Sequence, residues 1–296
     1  MRTAAKALLA AFGALALVST PAQAAQADTK AAAPAPQAKK PATKPAAPGV
    51  VIEPRAIELL KAASARLAAA KSMAFTAVVT YEYPSLVGPA LAFTTRSEVA
   101  LQRPDKLLIV TRADGPASEL YYDGKTIMAY SPKEDLVAYG EASGPIASAL
   151  ELLYRESGTY YPFVDLIVAD PHAAMTDGLK LAFVVGRSTV VGGTPTDMVA
   201  FSNGEVFVQM WIGVDDKLPR RVRAMYAKDR LQLRHQLDIE GWQLDVAHAP
   251  EKFNSAKAAK AKRIPFAAPA FVATKGAKVL PPKAPQPAKS APAKAQ

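Results

Sequence analysis

Two hydrophobic periodicities divide the middle of the chain into a leading helix and a long series of strands. Residues 54–71 place apolar side chains, among them Leu60 and Leu67, three and four positions apart, which predicts an amphipathic helix. From Met73 onward the apolar positions alternate with polar ones, as is typical of half-buried strands. The alternation recurs as far as residue 241 and predicts about eleven antiparallel strands.

Turn signals and one helical insertion complete the predicted architecture. Asp123-Gly124 and Asn203-Gly204 suit the positive φ angles of tight hairpin turns. Residues 144–176 interrupt the strand pattern with the apolar spacing of a short helical pair. A sheet of about eleven strands curls, and its concave apolar face then needs a cover. The predicted fold class is therefore mainly β (α+β): a curled antiparallel half-barrel covered by the N-terminal helix and the inserted helical pair.

The alternation along the strands also predicts which side chains lie on the concave face. Which of the two faces of the sheet is concave is itself an inference. If that face encloses an apolar cavity, side chains from the strands and the covering helices line it. The expected ligand-binding residues are Phe75, Val79, Phe93, Leu101, Leu150, Leu166, Met210, Leu233 and His235.

His235 is the polar member of this set, since it alternates with leucines in the last predicted strand. One interpretation is a polar point inside the cavity that contacts the headgroup of a ligand. The other is a hydrogen-bonded histidine of the core, which is the commoner role on an apolar strand face and the one we favour.

The net charge of +10 comes from the two ends of the chain. Residues 1–50 and 254–296 together carry fifteen Lys and Arg but one acid, whereas residues 51–253 carry four more acids than cations. Segments 25–50 and 254–296 consist mainly of Ala, Pro and Lys, so we expect both to be disordered. These basic tails either contact an anionic membrane or the cell wall, or they are solvated spacers.

The first 24 residues predict export from the cytoplasm. A basic start at Arg2 and Lys6 precedes an apolar run of twelve residues, and Ala22 and Ala24 supply the small side chains before a cleavage site. The run is shorter than the roughly 20 residues that span a bilayer. We expect a periplasmic protein with a signal peptide (1–24), a linker (25–50), a half-barrel domain (51–253) and a basic tail (254–296).

The sequence contains no recognisable catalytic or metal-binding motif. It has no cysteine, which excludes disulfides, thiolate metal sites and cysteine nucleophiles. Its three histidines, His172, His235 and His248, lack the spacing of a helical zinc site. The arginines near residue 221 either bind phosphate or form a solvated outer face, and we favour the outer face. We expect a non-enzymatic protein with no cofactor and no nucleic-acid partner, since its middle is acidic.

Several short motifs, in order, carry a resemblance to a known family. They are Phe75-Thr76-Ala77, Arg103-Pro104-Asp105-Lys106-Leu107, Tyr122-Asp123-Gly124-Lys125-Thr126, and Trp211-Ile212 followed by Asp215-Asp216-Lys217-Leu218-Pro219. Over residues 54–253 the chain resembles the LolA/LolB-like periplasmic lipoprotein-carrier superfamily, and more closely an uncharacterised family of predicted periplasmic proteins. This resemblance implies an incomplete eleven-stranded barrel whose apolar hollow, roofed by helices, holds acyl chains.

Two functional hypotheses from different classes follow, with a third behind them. The first is a periplasmic binding or carrier protein for a lipid or a lipid-modified protein. The alternative is a cell-envelope regulatory or structural interaction module that uses the same fold without transport. A hydrolase comes third, because it needs two buried carboxylates in an open cleft. The expected partners are a lipid or acyl chain, and a lipoprotein or envelope protein.

We predict that the mature chain begins at Ala25, because Ala22 and Ala24 fill the small-residue positions before the cleavage site. Intact-mass measurement of the protein from an envelope fraction checks this. Retention of Met1 in a membrane-bound product would contradict the assignment.

Overall fold

The computed structural model of the protein describes residues 51–267. The predicted signal peptide, the linker and the end of the basic tail lie outside this range. The helices in it are α1 (Pro54–Ala69), α2 (Ile146–Ser157), α3 (Val164–Ile167) and α4 (Pro171–Thr176). The strands are β1 (Ser72–Tyr83), β2 (Leu91–Gln102), β3 (Lys106–Ala113), β4 (Ser118–Tyr122), β5 (Thr126–Ser131), β6 (Leu136–Glu141), β7 (Leu181–Ser188), β8 (Thr196–Ser202), β9 (Val206–Gly213), β10 (Pro219–Tyr226), β11 (Arg234–Leu244) and β12 (Lys262–Ile264). No helix of this part of the chain is long and apolar enough to cross a membrane.

All strands of the described range belong to one sheet, in the order β12-β6-β5-β4-β3-β2-β1-β11-β10-β9-β8-β7. The pairing of β1 with β11 joins two antiparallel halves, one built from β1 to β6 and the other from β7 to β11. β12 and β7 stand at opposite ends of this order, so the sheet is open. Since a sheet this wide must twist and coil, it curls into a half-barrel. The predicted fold class is confirmed.

Helix α1 covers part of the concave face. It contacts β7, β8, α3 and α4, and it buries Leu60 and Leu67 completely. The guanidinium of Arg103, in the β2–β3 turn, donates from Nε to the Ala70 carbonyl at 3.1 Å and from Nη2 to the Leu67 carbonyl at 3.5 Å. These bonds satisfy carbonyls that the end of a helix leaves free, and they attach α1 to the sheet.

The inserted helices cover a further part of the face. The Ile146 amide at the start of α2 donates to the Pro104 carbonyl at 2.9 Å, and the Tyr122 hydroxyl donates to the Gly144 carbonyl at 2.7 Å. Just before α3, the Phe163 ring meets Phe75 of β1 edge to face, with centroids 5.7 Å apart. Hydrogen bonds therefore attach the start of the helical insertion to the sheet, and the Phe163 ring at its centre packs into the core.

The chain after residue 253 corrects the expected boundary of the domain. Instead of a disordered tail from residue 254, the segment crosses the convex face, where Ala258 and Ala261 pack with Met128 and Val137. It then adds β12, a strand parallel to β6 that was not predicted. Beyond β12 the Phe266 ring lies over Gly140, where a Cβ atom would come within 2.8 Å of the ring. The domain thus includes residues 254–267, and a Cβ atom at position 140 would displace the Phe266 ring.

The other edge of the sheet is covered in a similar way by the residues before α1. Ile52 forms a parallel bridge to Ala182 of β7, and the Glu53 amide donates to the Ala182 carbonyl at 2.8 Å. The Glu53 carboxylate accepts from the Val184 amide at 2.9 Å. Both edge strands therefore have part of their backbone satisfied, which protects the sheet from adding a foreign strand.

We predict that the segment from 254 to 267 contributes to stability and that the rest of the tail does not. Ending the chain after residue 267 should leave the free energy of unfolding unchanged. Ending it after residue 253 removes Ala258, Ala261 and Phe266 from their contacts and should cost roughly 2–5 kcal/mol. Phe266→Ala alone should cost about 1–3 kcal/mol, because its ring is half-buried. Urea unfolding of the three variants checks this, and equal stability of both truncated proteins would contradict it.

Candidate functional site: the open end of the half-barrel

Burial of the concave face changes steadily along each strand of the half-barrel. On β1 the inward side chains run from Met73, which is fully buried, through Phe75 and Val79 to Tyr81, which is half-buried, and Tyr83, which is 43% exposed. Their alternation continues without a break, so exposure increases along one face of one strand. The face is closed at the start of β1 and open at its end.

The same gradient recurs on the neighbouring strands. On β2, Leu101 is fully buried and Phe93 is half-buried, and on β11, Leu237 is buried and His235 is half-buried. The register aligns these positions, because Tyr81 lies opposite both Phe93 and His235. We call this region the open end and define it by its half-buried inward side chains: Tyr81, Phe93, Val206, Val208, Ala224, Tyr226 and His235.

Aromatic rings run across the open end from strand to strand. The Tyr81 ring stacks on Phe93 with centroids 5.9 Å apart and on His235 with centroids 6.4 Å apart. The Tyr226 ring then meets His235 edge to face at 5.8 Å. The rings present apolar faces with polar atoms at their edges, which suits a surface that is neither core nor free solvent.

Two polar groups of the inserted segment, the Asp165 carboxylate and the Tyr160 phenol, have raised pKa values. Tyr160 is 40% exposed, and Asp165 in α3 is also exposed, yet the surrounding protein partly desolvates both. This desolvation raises the pKa of Asp165 to about 6. Desolvation, followed by the charge of Asp165, raises the pKa of Tyr160 and of Tyr226.

The environment of His235 favours its neutral imidazole. Burial lowers the pKa of its imidazole, against the smaller opposing effect of the carboxylates of Asp229 and Glu82. The Glu82 carboxylate is engaged by Arg234, whose Nε donates at 2.8 Å and whose backbone amide donates at 3.0 Å. This ion pair joins β1 to β11 beside the histidine and fixes the rim of the open end.

Two pockets lie away from the open end. One has a volume of about 370 Å³ and lies where β10 and β11 diverge, with Trp242 and Arg220 in its wall. The other has a volume of about 230 Å³ and lies between α2 and the edge at β6, closed on one side by Phe266. Within residues 51–267, no group of three or more His, Asp or Glu side chains is placed to hold a metal ion.

A match to a family model shows which protein family this chain belongs to. The model described as "Predicted periplasmic protein (DUF2092)" matches residues 56–267, which is most of the sequence and nearly all of the described range. The chain belongs to the DUF2092 family. This DUF2092 protein is periplasmic, and the expected resemblance to an uncharacterised periplasmic family is confirmed. No curated protein matches the sequence.

Solved structures show distant likenesses of fold to this DUF2092 protein. The lipoprotein LppX of Mycobacterium tuberculosis is 15% identical over 66% of this chain and 99% of its own, with a TM-score of 0.41. A LolA superfamily protein of Nitrosomonas europaea is 10% identical over 68% and 97%, with a TM-score of 0.35. MucB of Pseudomonas aeruginosa, in its complex with MucA, is 14% identical over 69% and 62%, with a TM-score of 0.32. The DUF2092 protein thus spans less than two thirds of the MucB chain.

The structure divides the nine predicted ligand-binding residues of this DUF2092 protein into two groups. Six belong to the packed core: Phe75, Val79, Leu101, Leu150, Leu166 and Met210. Phe93 and His235 lie in the open end, and Leu233 is half-buried in the turn that precedes β11. Ligand binding by either group stays a prediction.

Sequence reasoning missed the polar groups of the open end. Tyr81 and Tyr226 occupy inward positions of predicted strands, so strand alternation could have found them. No local signal places the Tyr226 ring against His235, because β10 and β11 meet only in the folded sheet.

We predict that the core and the open end respond differently to loss of an aromatic ring. Phe75→Ala should lower the free energy of unfolding by about 3–5 kcal/mol, because Phe163 and Trp242 pack on the ring. Phe93→Ala should cost less than about 2 kcal/mol, because its ring is half-buried. Urea unfolding of both variants measures the difference. Equal costs would show that the open end is packed as tightly as the core.

Proposed function

We propose that this protein is a non-enzymatic periplasmic binding or carrier protein for a lipid or a lipid-modified protein, and that an acyl chain lies in the open end. The observation that carries the proposal is the gradient of burial along the concave face. Apolar side chains continue from the core into the open end, where Tyr81 and Phe93 remain half-buried. An acyl chain placed there would remove this surface from water.

The rim above the open end supports a lipid as the source of the acyl chain. The β1–β2 loop carries Leu86 and Val87, which are 101% and 87% exposed, and Leu231 in the neighbouring β10–β11 loop is also exposed. Apolar side chains at loop tips cost free energy in water and gain it at an apolar surface. A rim of this kind suits a protein that collects its ligand from a lipid phase.

The alternative function, an envelope interaction module without transport, is favoured by a different observation. Below the open end the concave face is filled by the protein's own side chains, because Leu101, Met210 and Phe163 are almost completely buried. A shallow apolar surface of this kind also suits one side chain or a short segment of a protein partner. Contact of the basic tails with an anionic membrane or the cell wall stays a prediction of the sequence.

We predict that the open end takes up a fluorescent fatty acid and that a bulky side chain there prevents uptake. Ala224 points into the open end beside His235 and Val208, so Ala224→Trp should lower uptake at least about tenfold, a loss of about 1.4 kcal/mol of binding free energy. Ala92 lies on the opposite face of the sheet and is exposed, so Ala92→Trp is the matched control and should bind as the unchanged protein does. Fluorescence titration of the folded variants gives the affinities.

Mass analysis of organic extracts from the purified protein adds an independent test. Co-purified lipid, absent from the Ala224→Trp variant, supports the carrier. If neither protein binds a fatty acid or carries lipid, the carrier proposal fails, and the interaction module becomes the better explanation of the fold.

A further inference from the structure

The convex face of the half-barrel carries apolar side chains over strands β7 to β10. The register arranges these outward positions in rows, because Met198 lies opposite Trp211 and Phe207 lies opposite Met225. None of these outward side chains belongs to either hydrophobic cluster of residues 51–267. We call this region the convex patch and define it by five half-buried side chains: Phe183, Met198, Phe207, Trp211 and Met225.

Two arginines of β10 border the convex patch. The Arg221 guanidinium lies 5.8 Å from the centroid of the Trp211 ring and donates from Nε to the Asp238 carboxylate at 2.5 Å. Arg223 is exposed on the same face of the strand. Aromatic rings, methionine and arginine are enriched in contact surfaces, whereas the solvated face of an antiparallel sheet is mostly polar. The convex patch therefore has the composition of a surface that another segment covers.

The first half of the sheet shows how the chain covers its own convex face. Outward apolar side chains of β5 and β6 pack under Ala258 and Ala261. Lys257 of the same segment lies over the Tyr130 ring, with its Nζ 5.7 Å from the centroid. A segment of alanine and lysine thus covers this part of the convex face, and it leads directly into the edge strand β12.

The beginning of the domain has a similar arrangement at the opposite edge. Ile52 pairs with β7 in parallel, as β12 pairs with β6, and the chain then forms α1 on the concave face. At the β12 edge the chain likewise passes from the convex face to the concave face, where Phe266 lies over Gly140. The residues directly before Ile52 therefore lead to the edge that adjoins the convex patch.

The linker before residue 51 has the composition and the reach to cover the convex patch. Residues 45–50 (PAAPGV) carry no charge, so the two arginines do not repel them, and the nearest linker cation is Lys44. Six residues in an extended proline-rich chain span about 19 Å, and three spacings between neighbouring strands amount to about 15 Å. Proline-rich segments bind aromatic surfaces because their extended conformation loses little entropy on binding.

We propose that residues 41–50 lie across the convex patch and cover it, as the segment with Ala258 and Ala261 covers the convex face of β5 and β6. The contact removes the rings of Phe207 and Trp211 from water. It also keeps a second copy of the chain, or another protein, from binding this face. The inference does not depend on the proposed function, since it concerns the opposite face of the sheet.

Disulfide formation in the chain from Ala25 to its end tests the proposal, because the protein has no cysteine of its own. Ala46→Cys places one thiol in the linker, and Gln209→Cys places the other between Phe207 and Trp211 on the convex patch. In the matched control, Val208→Cys replaces the neighbouring residue of β9, which is also half-buried but faces the open end. With a mild oxidant, the pair with Gln209→Cys should close at least about tenfold faster, a preference of about 1.4 kcal/mol.

A change in the linker alone separates a specific contact from the effect of the tether. Residues 41–45 and 47–50 are replaced by glycine and serine at the same length, and the folded domain from residue 51 is left as it is. Because glycine and serine offer no proline rings or alanine methyl groups to the convex patch, the two cysteine pairs should then close at similar rates. A preference for Gln209→Cys that survives this replacement would come from the geometry of the tether, and it would overturn the proposal.

The other occupants of the convex patch give different results in the same experiment. Faster closure with Val208→Cys would place the linker in the open end, and equal rates with the natural linker would show that it favours neither face. Either result overturns the proposal. The single variant Gln209→Cys should stay monomeric under the oxidant. A covalent dimer that increases with protein concentration would assign the convex patch to a second copy, and the proposal would fail.

Discussion

The structure depends on one constraint: a twelve-stranded open sheet has a concave apolar face that its own helices cover only in part. Helix α1 and the inserted helices bury the lower half, and Arg103 fastens α1 to the sheet through the carbonyls at the helix end. Their reach ends near Val79, above which Tyr81 and Tyr83 are progressively exposed. The core and the open end are therefore two parts of one surface, separated by the extent of the cover.

Both edges of the open sheet are partly covered by short strand pairings. Ile52 pairs with β7, and β12 pairs with β6, both in parallel. An edge strand with unpaired backbone groups can form hydrogen bonds with a strand of another molecule. These short pairings reduce the number of unpaired backbone groups. Exposed apolar side chains remain at the rim, as at Leu86 and Val87, and beside the edges, as at Ile52 and Ile264. The occupied edges disfavour extension of the sheet by another strand.

Stability and function make opposite demands on the open end. The core below it gains from complete burial, as at Phe75, which packs between Phe163 and Trp242. The open end keeps half-exposed rings, such as those of Tyr81 and Phe93, which cost free energy while they remain in contact with water. Natural sequences depart from the rules of stable packing mostly at functional positions. These rings lie where the cover of the helices ends.

The sequence by itself determined the hydrophobic periodicities, and therefore which segments form helices and which form strands. Alternation from Met73 and the helical spacing of residues 54–71 and 144–176 are local properties, so they predict β1, α1 and the insertion with small errors at the ends. The tertiary structure alone decided which inward side chains are core and which are open, because Val79 and Tyr81 follow the same pattern and differ only in what covers them. It also decided that Phe266 docks on Gly140. Such contacts join residues distant in sequence, and local spacing carries no information about them.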